Sequence, residues 1–362
     1  MTGAAACLSG IEGITVVIHG SSGCYYYPTT LLHAPLEGTF IMENEVIFGA
    51  EDRLLEVING LAGKKGKIAV VNTCVPAVLG EDYRQALSSH DIIFVDSPGF
   101  AGDAETGYQK ALAALAPETD ISATGVNIDG VCALDPFSRG NVQEITRLLQ
   151  CSSIPVATVF CLDSLEKIRR PAPYTIGTNA DYSSCIGTFL GSTLGIDETV
   201  KTFRALGCIF DESDIDPVIR ECAAEEERIF RACEKYLRRF DPPQVAIFAN
   251  LSYALFAKRS LEKYLDADVV STVTRNDPCD ADSVTQVSGI NGIKELIDRY
   301  KPDLILGSSF EQSVSPNSGF VGITAPLRGR VSLAPRTIAG IGGTLSFLED
   351  VLNVCINTMG KP

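Results

Sequence analysis

Tryptophan is absent from this 362-residue chain and histidine nearly so, with three copies and none beyond His90. Basic residues are also scarce: 30 Lys and Arg stand against 45 Asp and Glu, giving a net charge of -15 and a pI near 4.7. Gripping a polyphosphate backbone needs clustered cations, so nucleic-acid partners are not expected. No run of about 18 apolar residues occurs, which leaves no candidate membrane span. The opening "MTGAAACLSGIEG" has no basic n-region, so an export signal is not expected and a cytoplasmic location is. The G-x-x-x-x-G-K-[ST] signature is missing throughout, and "HGSSGC" (19–24) also fails the G-x-G-x-x-G pattern. The chain is therefore not expected to hydrolyse ATP itself. No C-x₂-C pair occurs either, which argues against the usual structural zinc site.

What is present describes a folded protein. Hydrophobic residues make up 45% and charged residues 21%, and the length suits two or three domains. Val- and Ile-rich runs recur at 14–18, 67–71, 91–95, 154–160, 245–249, 268–272 and 303–306, with room for a helix between successive runs. This rhythm predicts an α/β fold of three Rossmann-like domains, with mainly parallel sheets flanked by helices. "EDRLLEVINGL" (51–61) and "GIKELIDRY" (292–300) each place apolar residues on one helical face. The charged stretch 212–244 reads as one long amphipathic helix stopped by Pro242-Pro243. Domain boundaries fall near 122 and 241, giving segments 1–122, 123–240 and 241–362.

Twelve cysteines without an export signal point to thiolate chemistry and reduced core thiols rather than a disulfide framework. Most are expected to be ordinary buried small residues. Two share a context. "VVIHGSSGC" runs from a strand through a polar turn to Cys24, and "VVNTC" does the same to Cys74. Residues just beyond parallel strand ends lie where α/β folds place ligands. On this reading Cys24 is a nucleophile, a metal ligand or a plain turn residue. With Cys7 just before the first strand, three thiols could converge on a soft metal: an iron–sulfur cluster, zinc or cuprous copper. Separations of 17 and 50 residues suit a cluster better than zinc. Three thiols per chain leave room for a second subunit to complete the coordination.

The segments "CLSGIEGITVVIHGSSGC", "ENEVIFGAEDRLLEVI", "VVNTCVPAVLGED", "DSPGFAGDAETGYQKALAAL", "GVNIDG", "KPDLILGSSFEQ" and "GGTLSFLEDVLN", in that order, resemble the nitrogenase component 1 superfamily over almost the whole chain. The resemblance implies that Cys7, Cys24 and Cys74 ligate a [4Fe-4S] or P-cluster-like [8Fe-7S] cluster shared between subunits. It also implies a homodimer or a heterodimer with a related subunit, and an ATP-hydrolysing iron protein as electron donor. The chain would then be a nitrogenase-like oxidoreductase subunit reducing a small molecule, such as a tetrapyrrole, in an interdomain cleft. A non-catalytic scaffold for metallocluster assembly is the alternative.

Gly20 and Gly23 are expected to let the backbone approach the cluster. Ser97, Gly99 and Tyr108 match a loop that nears the cluster in this family. The family's catalytic-cofactor cysteine falls instead on Gly177 and Thr178, with Cys185 too late, and no C-terminal histidine exists. Dinitrogen reduction is therefore not expected. His33, Glu43, Glu45, Arg169 and Arg170 are secondary candidates for substrate or cluster contact. Tyr25, Tyr26 and Tyr27 receive no role from the sequence.

Overall fold

In the computed structural model, residues 1–359 are described apart from 33, 62, 64–65, 212, 275–284, 287–288 and 330. His33 and Cys279 fall outside the described residues. The chain begins with α1 (Thr2–Ser9), β1 (Ile14–His19), α2 (Ser22–Leu32), β2 (Glu37–Gly38), α3 (Glu43–Phe48), α4 (Glu51–Leu61), β3 (Lys67–Asn72), α5 (Cys74–Leu79) and α6 (Arg84–Leu87). It continues through β4 (Ile92–Asp96), α7 (Ala104–Ala114), β5 (Val126–Asp129), α8 (Ser138–Cys151), β6 (Val156–Val159), α9 (Leu165–Arg169), β7 (Tyr174–Gly177) and β8 (Thr188–Ser192). The remainder comprises α10 (Ile196–Gly207), α11 (Asp216–Leu237), β9 (Gln244–Ala249), α12 (Leu251–Leu265), β10 (Asp268–Thr274), β11 (Thr285–Gln286), α13 (Ile290–Tyr300), β12 (Leu304–Gly307), α14 (Ser309–Val314), β13 (Gly319–Gly322) and α15 (Gly340–Met359).

Three sheets result, as expected for an α/β chain of this rhythm: β2-β1-β3-β4, β6-β5-β7-β8 and β11-β10-β9-β12-β13. Every pairing in the first and last is parallel. Two compact units divide the residues. One comprises Met1–Leu134, Ala157–Thr175 and Tyr182–Thr188, and the other Asp135–Val156, Ile176–Asp181 and Phe189–Pro362. Among the described residues no helix is long and apolar enough to cross a membrane.

In the first unit the apolar runs are continuous because both faces of the sheet are covered. Val16 and Ile18 of β1, with Ala69, Val71, Ile93 and Val95, face a core shared with α1 and α7. Val17 and Val70 point the other way, toward Leu54, Ile58 and Leu61 of α4 and Tyr83. The predicted face of 51–61 is thus the buried one. In the second unit Ala246, Phe248, Val273, Ile297 and Ile305 form a corresponding core. The long helix is shorter than its charge pattern suggested, running from Asp216 to Leu237. Asp214 accepts from the Asp216 N–H at 3.1 Å and Pro217 sits in the first turn, which together set the start.

Candidate metal centre

β1, β3 and β4 end side by side, with His19 in register with Asn72 and Asn72 with Asp96. The next residues form one rim. Cys24 lies in the first turn of α2, Cys74 opens α5, and Ser97–Gly99 follow β4. The strand ends are tied together: the Thr73 N–H and hydroxyl both donate to the His19 carbonyl, at 3.1 and 2.8 Å. The Ser97 N–H donates to the Asn72 carbonyl at 3.1 Å.

Cys24 and Cys74 are half-buried free thiols. The Ser21 hydroxyl lies 3.6 Å from the Cys24 sulfur, and the Gly99 N–H donates to Cys74 Sγ at 3.0 Å. Backbone N–H···S bonds of this kind tune cluster thiolates. A side chain on Gly99 would begin 3.3 Å from that sulfur, so glycine is what allows the approach. The two other glycines separate in role. A Cβ on Gly20 would sit 1.9 Å from Thr73 Oγ1, so Gly20 serves the packing of β1 on β3. A Cβ on Gly23 would meet nothing within 4 Å, so Gly23 borders open space beside Cys24. Ser97 Oγ accepts from the Met1 amino group at 2.7 Å.

Cys7 lies on α1. It is fully buried, its sulfur 3.1 Å from that of Cys161, and burial pushes its thiol well above the ordinary cysteine range. Among the described residues, no three His, Cys, Asp or Glu side chains gather around a point that could hold a single metal ion. Glu45 caps α3 by accepting from the Met42 N–H at 2.8 Å, and Arg169 Nε donates to the Leu115 carbonyl at 3.1 Å. Tyr108 is fully buried, away from the rim surface, and donates to the Val131 carbonyl.

The tyrosine triplet divides. Tyr25 is anchored, its hydroxyl donating to the Leu36 carbonyl at 3.0 Å and its ring 4.8 Å from that of Phe40. Tyr26 and Tyr27 are exposed. So are Met42, Ile47, Phe48, Val78 and Phe100, all on elements bordering the rim. Exposed apolar side chains in such number are what an interaction face would use.

His19 is the last residue of β1. It is fully buried, its Nδ1 3.1 Å from Thr39 Oγ1 and its ring edge-on to Tyr83, while Nε2 has no partner among the described residues. Burial pushes its pKa down to about 4. Because the unfolded imidazole protonates near 6.5, the neutral folded form stabilises fully above that value and progressively less as pH falls toward 4. The expected loss by pH 4.5 is about 2.5 kcal/mol. Denaturant titrations of wild type and His19→Gln at pH 7.5 and 4.5 check this, because the variant should lose that component of the acid sensitivity.

The Nitrogenase component 1 type Oxidoreductase family matches residues 1–174 and 186–356. The chain is similar to the nitrogenase iron-molybdenum cofactor biosynthesis protein NifE of Clostridium pasteurianum, at 30% identity over 283 residues, 68% of this chain and 61% of that protein. Against the same-named protein of Methanococcus maripaludis it is 24% identical over 88% of this chain and 75% of the relative. The nitrogenase molybdenum-iron protein beta chain of Bradyrhizobium diazoefficiens is 28% identical over 40% of this chain and 33% of its own length. Among solved structures, Nitrogenase Cp1 at pH 6.5 superposes with a TM-score of 0.84 at 18% identity, covering 99% of this chain and 92% of the other. The chain therefore belongs to the nitrogenase component 1 type oxidoreductase family.

Proposed function

We propose that this chain is a nitrogenase-like redox component that holds an iron–sulfur cluster on the rim of its first sheet. The observation that carries this reading is the juxtaposition of Cys24 and Cys74 on adjacent strand ends, with the Gly99 N–H on the Cys74 sulfur. Such a cluster supplies one-electron chemistry. The chain's own part is to hold two thiols apart on a rigid rim, aim an N–H at one and keep space beside Gly23. Cys7, the third expected thiol, would have to leave its contact with Cys161 to join them. The apolar face of Tyr26, Tyr27, Phe48, Val78 and Phe100 supports a second, related chain that completes the coordination. With no phosphate-binding loop of its own, the protein would draw electrons from an ATP-hydrolysing iron protein and pass them to a small molecule, a tetrapyrrole being the class in view.

A cofactor-assembly scaffold is the second reading, favoured by the likeness to the two cofactor biosynthesis proteins. Anaerobic reconstitution with iron and sulfide, followed by metal analysis and electron paramagnetic resonance, tests the site. Wild type should retain a cluster, and Cys24→Ser and Cys74→Ser should each lower bound iron more than tenfold. Undiminished iron in both variants would remove the site from the rim. Sustained ATP-dependent turnover with an iron protein separates the redox component from a scaffold, which instead releases its cluster to an acceptor.

A further inference from the structure

Cys7 and Cys161 lie in the first unit as a pair sealed from solvent, 0% and 2% exposed, with their sulfurs 3.1 Å apart. The hydrogen bonds around them fix where the protons are. Tyr108 has one proton and donates it to the Val131 carbonyl at 3.1 Å, so its oxygen accepts the Cys161 thiol proton at 3.2 Å. The Cys161 sulfur then presents lone pairs to Cys7, whose own S–H points at it. Two sulfurs in line contact are the geometry from which a cross-link forms.

The backbone on either side is already locked in place. A Cβ on Gly10 would come within 2.1 Å of the Cys161 carbonyl oxygen, so the two chains touch there. Two residues farther on, the Glu12 N–H donates to the Asp163 carbonyl at 3.3 Å and the Leu165 N–H to the Glu12 carbonyl at 3.4 Å. Cys161 itself adopts the left-handed conformation, φ +61°, uncommon for a non-glycine residue. Moving from 3.1 Å to a bond of about 2.05 Å closes the sulfur–sulfur gap by about 1 Å. Losing both thiol protons leaves no buried donor without a partner, since Tyr108 keeps its bond to Val131.

We infer that Cys7 and Cys161 are a site of disulfide formation by a small hydroperoxide, pinning α1 to the turn after β6. One thiol attacks the terminal peroxide oxygen, so that an S–O bond forms, the O–O bond breaks and the thiol proton passes to the departing oxygen, which leaves as water from hydrogen peroxide or as the alcohol from an alkyl hydroperoxide. The second thiol then displaces the sulfenic oxygen as water, forming the S–S bond. Two electrons pass from the sulfur pair to the peroxide. Neither Cys24 nor Cys74 takes part, and while the bond is closed Cys7 is withheld from any cluster on the rim.

Hydrogen peroxide treatment of the full chain, followed by non-reducing digestion, should give a linked Cys7–Cys161 peptide pair about 2 Da lighter than its free parts and lost on reduction with dithiothreitol. Because the closed loop spans 154 residues, the oxidised protein should melt about 5 °C or more above the reduced one. The shift needs no variant to be read. Cys161→Ser should abolish the linked pair, and Cys208→Ser, at an exposed thiol, should leave it intact. Oxidation confined to the exposed cysteines, with Cys7 and Cys161 still open to alkylation after unfolding, would overturn the inference. A link from Cys7 to Cys132 in place of Cys161 would overturn it equally.

Discussion

Gly3→Val is expected to cost the first unit about 3–5 kcal/mol, enough to remove a large part of the stability of a typical domain. A Cβ at residue 3 would lie 1.7 Å from the Ala104 carbonyl oxygen and 2.6 Å from its carbon, both backbone atoms at the first residue of α7. No rotamer change relieves a clash with backbone, so the helices must separate. The facing position is less tight: a Cβ on Gly107 would sit 3.1 Å from Ser97 Oγ and 3.2 Å from the Ala4 nitrogen. Separation is expensive because α1 buries every residue from Gly3 to Leu8, and Ala4, Ala5, Ala6, Cys7 and Leu8 would lose their cover together. Gly60→Ala in α4 is the control. Its Cβ meets nothing within 4 Å, so the change should stabilise by about 0.5–1 kcal/mol through helix propensity. Urea midpoints of the two variants should move in opposite directions, and a Gly3→Val midpoint matching wild type would show that α1 is not seated as described.

Asn141→Ala should have a comparable effect in the second unit, about 3–5 kcal/mol, by a different mechanism. This fully buried side chain on α8 works as a four-way connector. Its oxygen accepts from the Ile338 and Ala339 N–H groups at 2.9 and 3.0 Å and from the Thr337 hydroxyl at 3.1 Å. Its nitrogen donates to the Tyr253 hydroxyl at 3.0 Å, which in turn donates to Asp135 at 2.5 Å. Truncation leaves two buried backbone donors unsatisfied, each costing about 1–3 kcal/mol, beyond the lost link to Tyr253. Those donors lead directly into α15, so the loss should appear first at its start. Hydrogen exchange of the Ile338 and Ala339 amides should accelerate at least tenfold in the variant while amides of β1 and β3 hold their rates.

These two residues show where sequence reading stops. The strands and the helix at 51–61 were legible because each carries its own periodicity, and the rim was legible because strand–turn–Cys occurs twice. The Cys7 environment was not. α1 is apolar all round, so nothing in "GAAACL" says which way its thiol points. Asn141 was equally silent, since its partners lie 196–198 residues away and no local pattern foreshadows them. Among the glycines, Gly20 and Gly23 both read as room for a ligand, yet a short polar neighbour, Thr73, fills the space beside one and leaves the other open. For His19 the sequence does not show a nitrogen that lacks a partner among the described residues, which only three-dimensional packing creates.

The burial of α1 also sets a timetable for synthesis. Its docking surface includes Ala104 of α7 and the Cys161 turn, both made long after the helix itself. At ribosomal rates of about 5–20 residues per second, the helix waits roughly 10–30 s for Cys161 to be made. During that interval β1, α2 and β3 can cover part of α1, while the face met by α7 and the Cys161 turn stays open. Holdase chaperones bind exposed apolar segments, and the nascent chain's dependence on them should be concentrated in this window.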